Sequence, residues 1–275
     1  MKRQYSGPIT LLLVIILSGC AASSGGKVSS LLFSVEDDKK LGKEVKQEIE
    51  AKPSEYPILP ESKYSDSYAY IRSMTKAILN SGNVAYKNEF AWEVKILNDD
   101  KVLNAFCTPG GYIYVYTGLI KYLENADDLA GVMGHEIAHA DRRHSIKQLE
   151  KQYGISMLLS MALGQNAGQI AEMAAQLAGT GAILAFGRGA ESEADEFSVK
   201  YLSGTNYACN GAAMFFSKLL EEGKAGGTPT FLSTHPSPDN RVQEINKMAK
   251  NVGCSMSPIN ETGMSYKDFQ NSLPQ

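Results

Sequence analysis

Two histidines and a glutamate carry the first chemical signal in this chain. In Gly134-His135-Glu136-Ile137-Ala138-His139 the histidines are four residues apart. On a helix they would project from one face, a single turn apart. That is the reach two imidazoles need to share one tetrahedral zinc ion. Glu136 stands about 100° round the same helix, beside the metal position rather than on it. It is placed there to take a proton from a water at the metal, the role that His-Glu-x-x-His spacing assigns to it. The whole chain has 4 histidines, so a chance pairing on a polar helix face is the weaker reading.

A third donor is found downstream. Glu191-Ser192-Glu193-Ala194-Asp195 follows Arg188 and opens another predicted helix. Glu191, Ala194, Asp195 and Ser198 share a face at steps of three and four, whereas Glu193 points about 200° away from Glu191 and is expected to face solvent. Glu191 is therefore the better ligand. Asp195, one turn later, is placed to accept a hydrogen bond from the free N–H of a ligand histidine, which would fix that ring's tautomer. Alone, such an acidic start would be a cap facing the helix dipole. With His135 and His139 it completes a His₂Glu site whose fourth position is open.

The elements that must carry these residues follow from the flanking sequence. Residues 125–144 are expected to form one helix, with Asp127 and Asp128 in its first turn and Arg142, Arg143 and His144 in its last, each suiting the dipole. Gly131, Gly134 and Ala138 keep one side thin, so that a neighbour can pack close. His144 lies about 140° off the ligand face and reads as a helix-end group rather than a ligand. Before this helix, residues 91–97, 102–106 and 112–116 have β character. In the last of these Tyr112, Tyr114 and Tyr116 face one side, and Ile113 and Val115 the other. Such a strand, just before the metal helix, is expected to offer an edge to an extended peptide.

The ends of the chain read differently. Residues 1–19 have Lys2 and Arg3, a short apolar run, and Leu17-Ser18-Gly19-Cys20, which resembles a bacterial lipoprotein signal cleaved before Cys20 and lipidated on that thiol. The apolar run is too short to span a bilayer. Ala21 after the cysteine favours the outer membrane over retention at the inner one. Residues 20–60 are expected to form a small, polar tether and an N-terminal helix with Leu41, Val45 and Ile49 on one face, broken by Pro53, Pro57 and Pro60. The compact domain is placed at 61–250, with a second helix from Ser65 or Asp66, and residues 251–275 are read as a loose tail. Residues 155–186 are apolar but interrupted by polar positions, which fits two amphipathic helices better than a membrane hairpin. Met157, Leu158, Met161, Met173 and Leu177 would then cover the site, touch lipid or belong to the core. The formal net charge is −3 and no basic tract exists, which excludes nucleic acid as a partner class.

Four separated motifs now support a family resemblance. His135-Glu136-Ile137-Ala138-His139 with Arg143-His144-Ser145, Glu191 to Asp195, Asn104-Ala105-Phe106-Cys107-Thr108-Pro109-Gly110-Gly111, and Thr234-His235-Pro236 with Arg241 resemble the HtpX/BepA-like zinc metallopeptidases of family M48. Two departures stand out: Cys107, where alanine would be less surprising, and Gly187, where serine is frequent. The resemblance implies an α+β, mainly helical gluzincin domain, with a small sheet packed beside the active-site helix and an edge strand near 112–116 lining the cleft. It implies one zinc per chain on His135, His139 and Glu191, with Glu136 as general base and then general acid. His235 would stabilise the oxyanion or occupy the fourth zinc position in a latent form, and Arg241 would orient that loop or pair with Asp195.

Together these readings imply an endopeptidase anchored through Cys20 in the outer membrane and facing the periplasm, acting on unfolded outer-membrane or periplasmic proteins. The outer-membrane assembly machinery is a further partner. The rival is a chaperone or outer-membrane assembly factor with a latent or structural zinc site; the intact Glu136 argues against it, since a structural zinc has no use for that carboxylate. In an oxidising periplasm Cys209 and Cys254 are the pair expected to bridge, leaving Cys107 a buried thiol.

Overall fold

The computed structural model describes residues 33–154, 160, 167–179, 186–223, 231–232, 235 and 240–275. Cys20 and its signal-like segment, Met157, Leu158, Met161, Thr234 and Pro236 lie outside the described residues. The fold is mainly helical and carries one small mixed sheet of β1 (Glu93–Leu97), β2 (Ala105–Thr108) and β3 (Tyr112–Tyr116).

The sheet corrects one expectation. Its order is β1-β3-β2: β3 pairs in parallel with β1 and antiparallel with β2. The strand bearing Tyr112, Tyr114 and Tyr116 is thus the central one, with both rows of backbone groups already paired, and offers no edge to a peptide. The alternation of its side chains holds. Ile113 and Val115 enter the main core with Val94 and Ile96. The three tyrosines enter a second core on the other face. A strand covered on both faces reads as a continuous buried run, and all five β3 residues are buried.

What covers the tyrosine face corrects a second expectation. Helix α1 (Val35–Glu50) begins with a capping box, in which Ser34 accepts from the Asp37 N–H while the Asp37 carboxylate accepts from the Ser34 N–H. Leu41, Val45 and Ile49, at helical spacing, are buried against the tyrosines. Leu59 N–H then donates to Ile96 O, and Asn98 N–H to Pro57 O, so the chain that follows α1 caps the β1 edge. Residues 33–60 are therefore built into the domain, and a boundary at 61 would cut through its packing. Helix α2 (Ser65–Leu79) covers the main-core face beyond it, and α3 (Thr117–Tyr122) leads on from β3.

The helix bearing the histidines, α4 (Ala126–Asp141), is buried along its whole length. Asn125 caps it by accepting from the Asp128 N–H at 3.0 Å. Two glycines allow its neighbours to close on it. A Cβ on Gly131 would meet Ala212 N at 2.0 Å, and one on Gly134 would meet Ser198 Oγ at 2.7 Å. α4 ends three residues before the expected His144. Arg143 takes the left-handed conformation, φ 56°, and His144 begins a new helix, α5 (His144–Tyr153). The helix α6 (Ala167–Gly179) joins the second core, where Met173 and Leu177 are buried; those two are core residues. Helices α7 (Arg188–Leu202) and α8 (Gly211–Gly223) pack against α4, and α9 (Arg241–Val252) packs on both of them.

The C-terminus is not a loose tail. Its helix α10 (Tyr266–Asn271) buries Tyr266 and Phe269 in the main core, and Phe269 stacks on Tyr70 of α2 at 4.4 Å. The expected disulfide Cys209–Cys254 is present, with Cα atoms 6.3 Å apart, and Cys107 is a buried free thiol.

Candidate metal centre

Four side chains converge where α4, α7 and the segment at His235 meet. One donor atom each from His135, His139, Glu191 and His235 lies within 4.8 Å of every other. His135 Nε2 is 3.0 Å from His139 Nε2 and 3.4 Å from Glu191 Oε2. His139 Nε2 is 3.5 Å from Glu191 Oε1. His235 Nδ1 lies 3.4 Å from His135 Nε2 and 3.1 Å from Glu191 Oε1. Zinc held tetrahedrally at about 2.0–2.1 Å sets neighbouring donors about 3.3 Å apart, so this donor set fits the ion. The buried Glu136 Oε1 makes no hydrogen bond, as expected of an atom placed for a water at the cation.

The sequence-predicted partners are in place. Asp195 Oδ1 accepts from His135 Nδ1 at 2.9 Å. The same carboxylate is gripped in two-pronged fashion by Arg241, through Nε and Nη2, each at 2.7 Å. Arg241 Nη2 also lies 3.1 Å from Glu191 Oε2, and its guanidinium stacks over Phe216 at 3.7 Å. Of the two roles expected for Arg241, the structure records the pairing with Asp195. Glu136 points its Oε1 to within 3.5 Å of His235 Nε2.

Burial and charge set the protonation states. Burial opposes a charge on His135, but the carboxylates of Asp195 and Glu191 outweigh it and raise its pKa to about 9. His139 moves the opposite way, held well below the usual histidine value by burial and then by its neighbour His135. Burial alone would raise Glu191; His235 and His135 overcome it and keep the carboxylate ionised. Burial pushes the Glu136 carboxyl up, against the pull of His235 and His135. A neutral His139 beside an ionised Glu191 is the state a metal cation requires, and its uptake would displace the additional proton from His135.

Some functional neighbours were not foreseen. Glu193 does point away from the donors, yet it does not simply face solvent. It accepts from Arg142 Nε at 2.8 Å and lies 3.1 Å from His144 Nε2. His144 in turn lies 2.9 Å from His139, Nδ1 to Nδ1. His139 stacks on Phe186 at 4.0 Å, and His235 on Phe231 at 4.4 Å. Nothing in local spacing announced these ring platforms. The sheet edge on the α4 side is β2, whose Cys107 thiol is raised by burial and then by the charge of Glu136. Tyr112, Tyr114 and Tyr116 lie in the second core under α1 and α6.

Comparison with known proteins places this geometry. Residues 65–249 match the model of Peptidase family M48. The chain is 28% identical over 215 residues to the mitochondrial metalloendopeptidase OMA1 of Schizosaccharomyces pombe, covering 77% of this chain and 61% of that one. It is 31% identical over 212 residues to the beta-barrel assembly-enhancing protease of Escherichia coli, covering 73% and 41%. A putative beta-barrel assembly-enhancing protease of Vibrio cholerae is 31% identical over 161 residues, covering 55% and 33%. The chain thus spans from one-third to about three-fifths of the length of these relatives.

Proposed function

The chain belongs to Peptidase family M48, and from that premise we propose that it is a zinc-dependent endopeptidase. The single observation that carries the reading is the buried cluster of His135, His139, Glu191 and His235, with Glu136 beside it, its Oε1 making no hydrogen bond. Zinc bound there would act as a Lewis acid, polarising a peptide carbonyl and making water acidic enough to attack near neutral pH. His135, His139 and Glu191 would hold the ion, with Asp195 and Arg241 keeping His135 and Glu191 in place. Glu136 takes the proton of the attacking water and passes it to the leaving amine.

His235 has two roles, according to state. Withdrawn from the donors, its ring can donate to the oxyanion of the tetrahedral intermediate. In the conformation described here its Nδ1 completes a four-donor set. His135, Glu136, His139, Glu191 and His235 are each only 1–2% exposed, and β2 is buried throughout. This supports a resting, closed form in which substrate entry requires His235 to move. Backbone pairing with an extended peptide, expected of β3, then falls to the β2 edge.

The substrates are unfolded or misfolded envelope proteins, and the outer-membrane assembly machinery is the partner system. The similarity to beta-barrel assembly-enhancing proteases supports this, as does the Leu17-Ser18-Gly19-Cys20 pattern, which would anchor the chain in the outer membrane by lipid on Cys20. The Cys209–Cys254 disulfide suits an oxidising compartment. No helix among the described residues is long and apolar enough to cross a membrane.

The test is a cleavage assay on a reduced, unfolded protein, with zinc content measured in parallel. Glu136→Gln should retain zinc and lose cleavage by roughly 10²-fold or more. Cleavage surviving in that variant would sink the assigned mechanism. Zinc retained without cleavage in the wild type would favour the chaperone reading, unless His235→Ala restores activity.

A further inference from the structure

Around the donor cluster, each candidate ligand histidine has its second ring nitrogen turned toward a different partner. For His135 that partner is the Asp195 carboxylate. For His139 it is another imidazole. His139 Nε2 faces the other donors at 3.0–3.5 Å, so in the metal-binding tautomer its proton sits on Nδ1. That nitrogen is 2.9 Å from His144 Nδ1, which must then be the acceptor. The one proton of a neutral His144 is left on Nε2, which lies 3.1 Å from Glu193 Oε2. The network therefore admits one consistent set of donors and acceptors: His139 to His144, and His144 to Glu193.

We propose that His144 is a positioning residue that fixes the ring of His139 for metal binding, and that Glu193 fixes His144 in turn. This inference rests on His139 being a zinc ligand, as proposed above.

The surroundings of His144 are built to hold it there. Arg143, just before it, adopts the left-handed backbone conformation, unfavourable for a residue with a Cβ. Its guanidinium is locked by Asp38 of α1, with Nε to Oδ2 at 2.7 Å and Nη2 to Oδ1 at 2.9 Å, and by the Phe33 and Ser34 carbonyls. This clamp fixes where α5 begins, and so where the His144 ring returns to α4. Glu193 is held at its other oxygen by Arg142 at 2.8 Å, and Lys147 lies 3.6 Å from the oxygen that faces His144. Carboxylates placed behind a metal-bound histidine typically change metal affinity by roughly 10- to 100-fold when removed. Here that effect would pass through an intervening imidazole.

The experiment is zinc affinity of the purified full chain by competition with a chromophoric chelator, together with the visible spectrum of the Co²⁺-loaded protein. His144→Ala should weaken zinc binding roughly 10- to 100-fold and shift the Co²⁺ bands. His144→Gln, whose amide oxygen can accept the same proton, should recover most of the affinity and the spectrum. Glu193→Ala should weaken binding by a smaller, several-fold amount. Wild-type affinity and spectrum in His144→Ala would overturn the inference, as would a loss that His144→Gln does not recover. Should His144→Ala fail to fold, Glu193→Ala decides the matter, and an unchanged affinity there overturns it. A wild-type chain that binds no zinc, or a Glu191→Ala chain that still binds it, would instead overturn the metal-site reading itself.

Discussion

His135 and His139 stand one turn apart on the same helix, yet the molecule supports them in different ways. Behind His135 the Asp195 carboxylate is held by Arg241, which also reaches Glu191 on the donor side; this charged triad is dry, with Arg241 and Glu191 each 1% exposed in their side chains and Asp195 5%. Behind His139 is the neutral, buried His144, backed by Glu193, whose side chain is 31% exposed. The first support is short, ionic and enclosed. The second is longer, relayed through a ring, and open to water at its far end. Where charges are enclosed, removing one strands the others without solvent, so perturbations there should be severe. Where the last carboxylate meets water, its loss is partly compensated by solvent.

The largest effect that could break this contrast is Arg241→Ala. It would leave the Asp195 and Glu191 carboxylates buried side by side, and chelator-treated protein should lose about 3–5 kcal/mol in urea denaturation. A loss under about 1 kcal/mol would show that water already reaches the triad, and the contrast would collapse. Next comes the matched pair Asp195→Asn and Glu193→Gln, each nearly isosteric. Zinc affinity should fall roughly 10- to 100-fold in the first, which also breaks the buried two-pronged pair with Arg241, and only a few-fold in the second, whose carboxylate is partly open to water. Equal losses would mean that the two supports are equivalent after all.

The smallest effect sets the baseline. Glu61 is 38% exposed and pairs with Arg72 at 2.7 Å and Lys95 at 2.8 Å, far from both histidines in the chain. Hydrogen bonds from Arg72 and Lys95 lower its pKa to about 2 from 4.5. The folded value lies below the unfolded one, so its stabilisation is present above about pH 4.5 and is lost as pH falls toward 2. Solvent screening keeps it small. Glu61→Gln should cost under about 0.5 kcal/mol at neutral pH and flatten the acid limb of the stability curve only slightly. A cost above about 1 kcal/mol would remove it as a reference for ordinary surface charge.

Much of the centre was legible because it depends on helical periodicity alone. The steps from His135 to His139 and from Glu191 to Asp195 put the right atoms on the right faces, and the structure brings them together as the spacing implied. Glu193 shows the limit of that reasoning. The 200° rotation away from Glu191 was right, but what occupies that direction depends on Arg143 turning the chain back into α5. Similarly, the alternation of β3 was legible and its place in the sheet was not. Residues 112–116 carry no mark that distinguishes an edge from a centre, because pairing is decided by which strands return beside it.

The sequence by itself determined the chemistry: a His-Glu-x-x-His turn, a third carboxylate at the start of a later helix, and two cysteines free to pair. These are short-range patterns whose geometry is set by bonds and dihedrals. Only the tertiary structure decided that α1 belongs to the domain, that α10 is docked, that the tyrosines are core, and that the two histidines have unlike supports. Each of these depends on contacts between residues far apart in the chain, such as Asp38 with Arg143 and Tyr70 with Phe269. Local patterns fix the direction in which a side chain leaves its helix or strand. Only packing determines what it meets there.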